Sequence, residues 1–145
     1  VSTSIYSFGD VTLTLSHPSL GQYVAGGEGL GSISTSMATD RTTHDVSADG
    51  SVMVSKIKGR NGSHAIAIQQ TSPLNQWLLK AYNYLENAPA NEWAKLSIVQ
   101  RAPSMHDLIT STGVSFQKLP DKPYQAQGQQ VTWNFMAADI QQDVI

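Results

Sequence analysis

A length of 145 residues suits one compact unit spanning 1–145, with no second independently folding domain expected. Charged side chains make up only 14%, and nine basic against eleven acidic groups give a net charge of −2, a balance without the clustered Lys and Arg that a free nucleic-acid-binding domain needs. The chain contains no cysteine, which excludes a disulfide framework, thiolate chemistry and a zinc finger, and suits folding in a reducing cytoplasm.

The clearest strand covers 10–16, where Val11, Leu13 and Leu15 alternate with Thr12 and Thr14. His17-Pro18 ends it. Five glycines between 21 and 31 predict a flexible loop leading into a second strand near 32–39. From 39 to 51 charges and hydroxyls collect and close on an Asp49-Gly50 turn signal, which predicts a long exposed connection. Two β-type runs, 52–57 and 64–70, flank Gly59, Asn61 and Gly62 and are predicted to form a hairpin over roughly 52–70. In its second arm His64, Ile66 and Ile68 share one face, while Ser63, Ala65, Ala67 and Gln69 share the other.

Thr71-Ser72-Pro73 is a helix start, because a Ser side chain caps free N–H groups and Pro at the first helical position loses no hydrogen bond. Leu74, Trp77, Leu78, Ala81, Tyr82 and Leu85 then recur at helical spacing until Asn87-Ala88-Pro89 stops the pattern. Burying that stripe contributes roughly 1.5–3 kcal/mol per large side chain before ordering entropy is subtracted. Strands return at 96–101, at 108–118 with Val114 and Phe116 inward, and at 130–136 with Val131, Trp133 and Phe135 alternating. About six strands around one amphipathic helix predict a mainly β fold, an antiparallel β-sandwich or barrel with one flanking α-helix.

No constellation converges on chemistry. His17, His44, His64 and His106 sit on four segments without metal-ligand spacing; His64 reads as a half-buried strand residue and the others as loop residues. There is no G-x-S-x-G elbow, so no catalytic residue is assigned. The run 26–31 resembles a phosphate-cradling loop but lacks the G-K-[ST] ending, and Asp40, Asp45 and Asp49 lack calcium-loop spacing and a terminal Glu. No metal or cofactor is expected. Trp77, Trp93 and Trp133 read as core or core-edge residues, and Lys56, Lys58 and Arg60 as a solvated hairpin tip. The longest aliphatic run, 65–68, is far too short for a bilayer span, so no membrane association is expected.

Taken in order, the S-F-G-D-V-T-L-T-L opening, the A-D-G-S turn, K-G-R-N-G-S-H-A-I-A-I, T-S-P-L-N-Q-W-L and the late V-S-F-Q-K-L-P-D and W-N-F resemble bacteriophage tail structural proteins, most of all the tail tube proteins of contractile-tailed phages. The resemblance runs from about Tyr6 to Ile140. It implies a non-enzymatic virion protein, assembled in the host bacterial cytoplasm, whose hexameric rings stack into a tube inside a contractile sheath. DNA then crosses the lumen without specific binding, and sheath, tape measure and baseplate or tail terminator proteins are the implied partners.

In related tubes about four strands per subunit join around the lumen. Roughly 24 strands at about 4.8 Å spacing enclose a backbone diameter near 37 Å, wide enough for duplex DNA. Such a wall needs small, uncharged or mildly acidic side chains, because Lys and Arg would hold phosphates. Ser34, Ser36, Ser63, Ala65, Ala67, Gln69, Ser111, Ser115 and Gln117, opposite the apolar faces of their strands, are the candidates for lining it. Asp40, Arg41, His44, Asp45 and Asp49, on the 39–51 segment, are the candidates for contacts between subunits or rings. Two alternatives share parts of this pattern: the inner tube of a contractile injection or secretion system, and a small ligand-binding β-barrel or hydrolase.

Overall fold

The computed structural model describes residues 2–26 and 29–145. Gly27 and Glu28, within the run weighed as a phosphate loop, lie outside the described residues. Among the described residues the chain is mainly β, with antiparallel pairing throughout and one α-helix. Strand β1 (Thr12–His17) places Leu13, Leu15 and His17 inward, as its alternation requires. It turns directly into β2 (Gly21–Ala25), where a loop is expected from the glycines. The reason is local: Gly21 takes φ +83°, which turns the chain back, and the residues after it alternate like any edge strand.

Strand β3 (Leu30–Met37) follows, then β4 (Thr42–Val46) and β5 (Val52–Lys56). These last two correct both the expected 39–51 connection and the expected 52–70 hairpin. Val52–Lys56 pairs back onto Thr42–Val46 as a separate two-stranded ribbon, and does not pair with the following strand. Gly50 at φ +90° and the Asp49 carboxylate, which accepts from Ser47 Oγ and from the Ser51 amide at 2.9 Å, make the nearer turn the closing one. Strand β6 (Gly62–Gln69) is meanwhile occupied on both sides, by β3 and by the last strand.

The helix α1 (Pro73–Asn87) starts where the sequence predicts, with Ser72 Oγ accepting from the Leu74 amide. Leu74, Leu78, Ala81 and Leu85 are its buried stripe, with Trp77 and Tyr82 packed at the margins. Strands β7 (Leu96–Ala102), β8 (Asp107–Lys118) and β9 (Gln130–Val144) complete a seven-stranded sheet of order β2-β1-β7-β8-β9-β6-β3. Its two ends do not close into a barrel. The sheet folds over on itself in a sandwich-like way around one core, with α1 packed against β2 near one end and β6 near the other.

The two longest strands carry the bend. Along β8 the inward residues are Ser111, then Val114 and Phe116; along β9 they are Phe135 and Ala137, then Ile140. Both strands therefore slip phase at the same level, where Gly113 takes φ +64° and opposes Ala138, and where β7 loses register with β8. At the centre, Phe116 contacts Trp133, Phe135 and Tyr82 with ring centroids 5.0–5.6 Å apart. The Trp133 indole N–H is satisfied by Asn75 Oδ1 at 2.9 Å. Trp133 is core, and Trp77 and Trp93 are core-edge residues, as expected.

Candidate functional site

On the face of β3, β6, β9 and β8 that points away from the core, small side chains come into lateral rows. Ser36, Ser63, Met136 and Ser115 form one row across all four strands, Ser34, Ala65 and Asn134 the next, and Ser32, Ala67 and Thr132 a third. Gln69 stands beside Gln130 at the end. This surface holds seven of the nine residues picked from the alternation, with Gln117 beside Lys118 at the rim, where the β8–β9 register shifts. The side chains that β3, β6 and β9 give to these rows are uncharged, and Lys118 of β8, opposite Asn134, adds an ammonium at the end of the second row.

Ser111 is the exception and corrects the expectation. In an unbroken strand it would share a face with Ser115 and Gln117, but the phase slip at Gly113 turns it into the core. It is 0% exposed and lies 2.6 Å from His64 Nε2. The rows from β9, Thr132, Asn134 and Met136, were missed by the selection of candidates, although the visible alternation of Val131, Trp133 and Phe135 already placed them opposite the core.

The four-stranded face is open on both sides. β3 pairs only with β6, and β8 from Ser115 to Lys118 pairs only with β9, because β7 ends its ladder at Val114. Among the described residues, no strand of the protomer occupies either outer edge.

The ribbon β4–β5 holds the other candidate group. Asp40, Arg41, His44, Asp45 and Asp49 are all exposed, as is every residue of both its strands. Register places Val46 opposite Val52 and His44 opposite Val54 on one side, and Asp45 opposite Met53 on the other. Val46, Val52 and Val54 remain 64%, 50% and 62% exposed. A lone two-stranded ribbon with an uncovered apolar side is marginal in water. Its base is tied to the body by Arg41, whose carbonyl accepts from the Ile57 amide at 2.9 Å and whose guanidinium donates to the Gly59 carbonyl at 2.7 Å. At the tip, hydrogen bonds from Ser47 and Ser51 hold the Asp49 carboxyl down at about 2.

Two histidines depart from expectation. His17 and His64 are buried, at 3% and 1% exposure, where a loop residue and a half-buried one were expected. His17 Nε2 donates to the Glu92 carbonyl and Nδ1 accepts from the Ser19 amide, while the Glu92 carboxylate takes Ser19 Oγ at 2.7 Å and the Tyr84 hydroxyl at 3.2 Å. The Ser19 bond foremost lowers the Glu92 pKa. That network clamps the β1–β2 turn to the segment after α1. His44 lies on β4 and His106 in the turn between β7 and β8, at φ +57°. Among the described residues no cluster of His, Cys, Asp or Glu suits a metal ion, and no helix is long and apolar enough to cross a membrane. A shallow cleft of about 320 Å³ is lined by Gln69, Gln70, Thr71, Gly128, Gln129 and Gln130, without a converging charge.

The sequence matches the family described as bacteriophage PhiTE tail tube protein over residues 3–144. No curated protein matches the chain by sequence. Among solved structures, the fold is similar to a chain of the sheath/tube terminator of an extracellular contractile injection system (PVC) in its extended state, with 9% identity, TM-score 0.61 and 99% of each chain covered. It is likewise similar to the tube-terminating cap of the anti-feeding prophage, with 9% identity, TM-score 0.60, and 100% of this chain and 94% of that one covered. A chain of the PVC sheath–tube complex in the extended state gives 9% identity and TM-score 0.56 over 92% of this chain and 88% of that one.

Proposed function

Because this chain belongs to the bacteriophage PhiTE tail tube protein family, we propose that its role is to line and enclose a passage, as stacked, hexameric rings of a phage tail tube. The observation that supports this most is the four-stranded outer face: rows of mostly small, uncharged side chains on a sheet segment with an unpaired edge at each side. Unpaired edges are templates for another strand. In the ring, the outer edge of β3 in one subunit joins the Ser115–Lys118 edge of β8 in the next, a head-to-tail contact that closes by rotation. Six subunits then supply the roughly 24 strands of a wall near 37 Å in backbone diameter.

Ser34, Ser36, Ser63, Ala65, Ala67, Gln69, Ser115 and Gln117 face the lumen in this reading, together with Thr132, Asn134 and Met136. A wall nearly without cations does not retain phosphates, so DNA passes without specific binding. The β4–β5 ribbon, with Asp40, Arg41, His44, Asp45 and Asp49, reaches a neighbouring subunit or ring and covers its valine side there. The tube lies within a sheath in the virion tail, is assembled in the host cytoplasm, meets a tape measure protein inside and ends on baseplate and terminator proteins. It needs neither a catalytic centre nor a cofactor.

Negative-stain microscopy of the purified protein tests the reading. Rings or hollow filaments are expected; single particles at low and high concentration alike would overturn it. The likeness to chains of contractile injection systems favours one second reading, an injection-system inner tube with a protein cargo, which the contents of purified particles distinguish.

A further inference from the structure

His64 is a buried titratable group that the tube geometry does not call for. It sits in β6 directly beneath the four-stranded face and bridges two strands that are not its own. Nδ1 lies 3.0 Å from Thr35 Oγ1 on β3, its cross-strand partner, and Nε2 lies 2.6 Å from Ser111 Oγ on β8. The side chains of Thr35 and Ser111 are thereby tied across β6 and β9. A neutral imidazole has one donor and one acceptor nitrogen, and each hydroxyl serves either role, so the chain of bonds is complete without a charge.

Among the described residues, no charged group faces His64 to compensate a proton. Thr35 faces it from β3, Ser111 from β8 and Phe135 across the β9 ladder, and none of these is charged. The buried side chains of α1 are Leu74, Leu78, Ala81 and Leu85. The Asp139 carboxylate, further along β9, is already engaged by Arg60 at 2.8 Å, and both side chains are about half exposed. Burial pushes the imidazole below its ordinary value of 6.5. A protonated imidazole at this position needs water, and β3 is the edge strand whose opening admits it.

We propose that the Thr35–His64–Ser111 bridge is an acid-sensitive latch on edge strand β3, neutral and closed at neutral pH and opened by protonation of His64. The consequence for tubes rests on the ring closure through β3 described above; the latch itself is a property of the protomer. The sign follows from linkage: the opened and unfolded chains bind a proton near 6.5 while the closed state binds it more weakly, so closure is fully favoured above that pH and weakens as pH falls below it. By about pH 5.5 the opening constant rises by up to about tenfold.

Amide hydrogen exchange of the dilute full chain at pH 7.5 and 5.5, corrected for intrinsic rates, tests the latch. Residues 32–37 are expected to lose protection by up to about tenfold at the lower pH while β1 and β7 keep theirs, and His64→Gln, which holds a neutral amide in place of the ring, is expected to abolish the difference. Equal loss across the sheet, or the same loss in His64→Gln, overturns it. Should that variant not fold, the His64 Cε1 proton shift in the unsubstituted protein decides: a midpoint clearly below 6.5 supports the latch, and titration at 6.5 without change in 32–37 overturns it. Sedimentation of tubes at the two pH values tests the consequence separately. Tubes stable at both pH values, from a protomer whose β3 does open, refute the closure through β3 and leave the latch standing.

Discussion

Excising the β4–β5 ribbon separates folding from assembly. Arg41 and Ile57 are already hydrogen-bonded across its base at 2.9 Å, so a tight turn of about four residues can replace Thr42–Lys56 without moving the body. Every ribbon residue is exposed, so the protomer loses almost no buried surface. Shortening the excursion from about fifteen to about four residues lowers its closure cost by about 1 kcal/mol. The protomer is therefore expected to unfold at the same temperature or slightly higher. Assembly responds differently. Val46, Val52 and Val54 are half or more exposed, and covering them in a neighbour's contact contributes about 1 kcal/mol each, about 3 kcal/mol in all. That corresponds to about a hundredfold in association constant. Calorimetry on the protomer and sedimentation across a concentration series measure the two effects. Filaments forming at the unsubstituted protein's threshold concentration would refute the ribbon as an assembly contact, and a protomer that no longer melts cooperatively would refute its independence from the core.

Three further outcomes follow from other parts of the fold. Gly113→Ala places a Cβ 2.8 Å from that of Ala138 at φ +64°, and is expected to lower stability by about 1–3 kcal/mol, read from the denaturant midpoint, and to disturb the β8–β9 bend. Asp49 is held at about 2 in the folded tip, below its ordinary value of 3.8, so its hydrogen bonds to Ser47 and Ser51 are intact above about pH 4 and are lost as pH falls toward 2; the protection of the Ser51 amide, corrected for intrinsic exchange, should fall over that range and stay constant between pH 5 and 8. Ala65→Lys with Ala67→Lys changes only the outer face, so the melting temperature should hold within a few degrees while assembled tubes gain salt-dependent retention of duplex DNA; tubes that retain none would place that face away from the lumen.

Much of this protein is legible from local chemistry. The Ser72-Pro73 cap and the Leu74, Leu78, Ala81 and Leu85 stripe define α1, and alternation alone sorts β1, β6 and the first half of β9 into a core side and an outer side. That is enough for the mainly β class, and it puts seven of the nine lining candidates on one outward surface, with Gln117 at its rim. Pairing and phase were beyond its reach. Period-2 patterning says which side a residue takes and nothing about which strand lies beside it, so Val52–Lys56 was matched to the following strand when the Asp49-Gly50 turn folds it back on the preceding one. Ser111 points inward because of a bulge at Gly113 against β7, a strand that only the tertiary fold places beside it, where the register shifts between Leu96 and Ile98. The bridge from Thr35 through His64 to Ser111 joins three separate strands, and only tertiary packing, by burying His64 and Ser111 together, pushes that imidazole below its ordinary value.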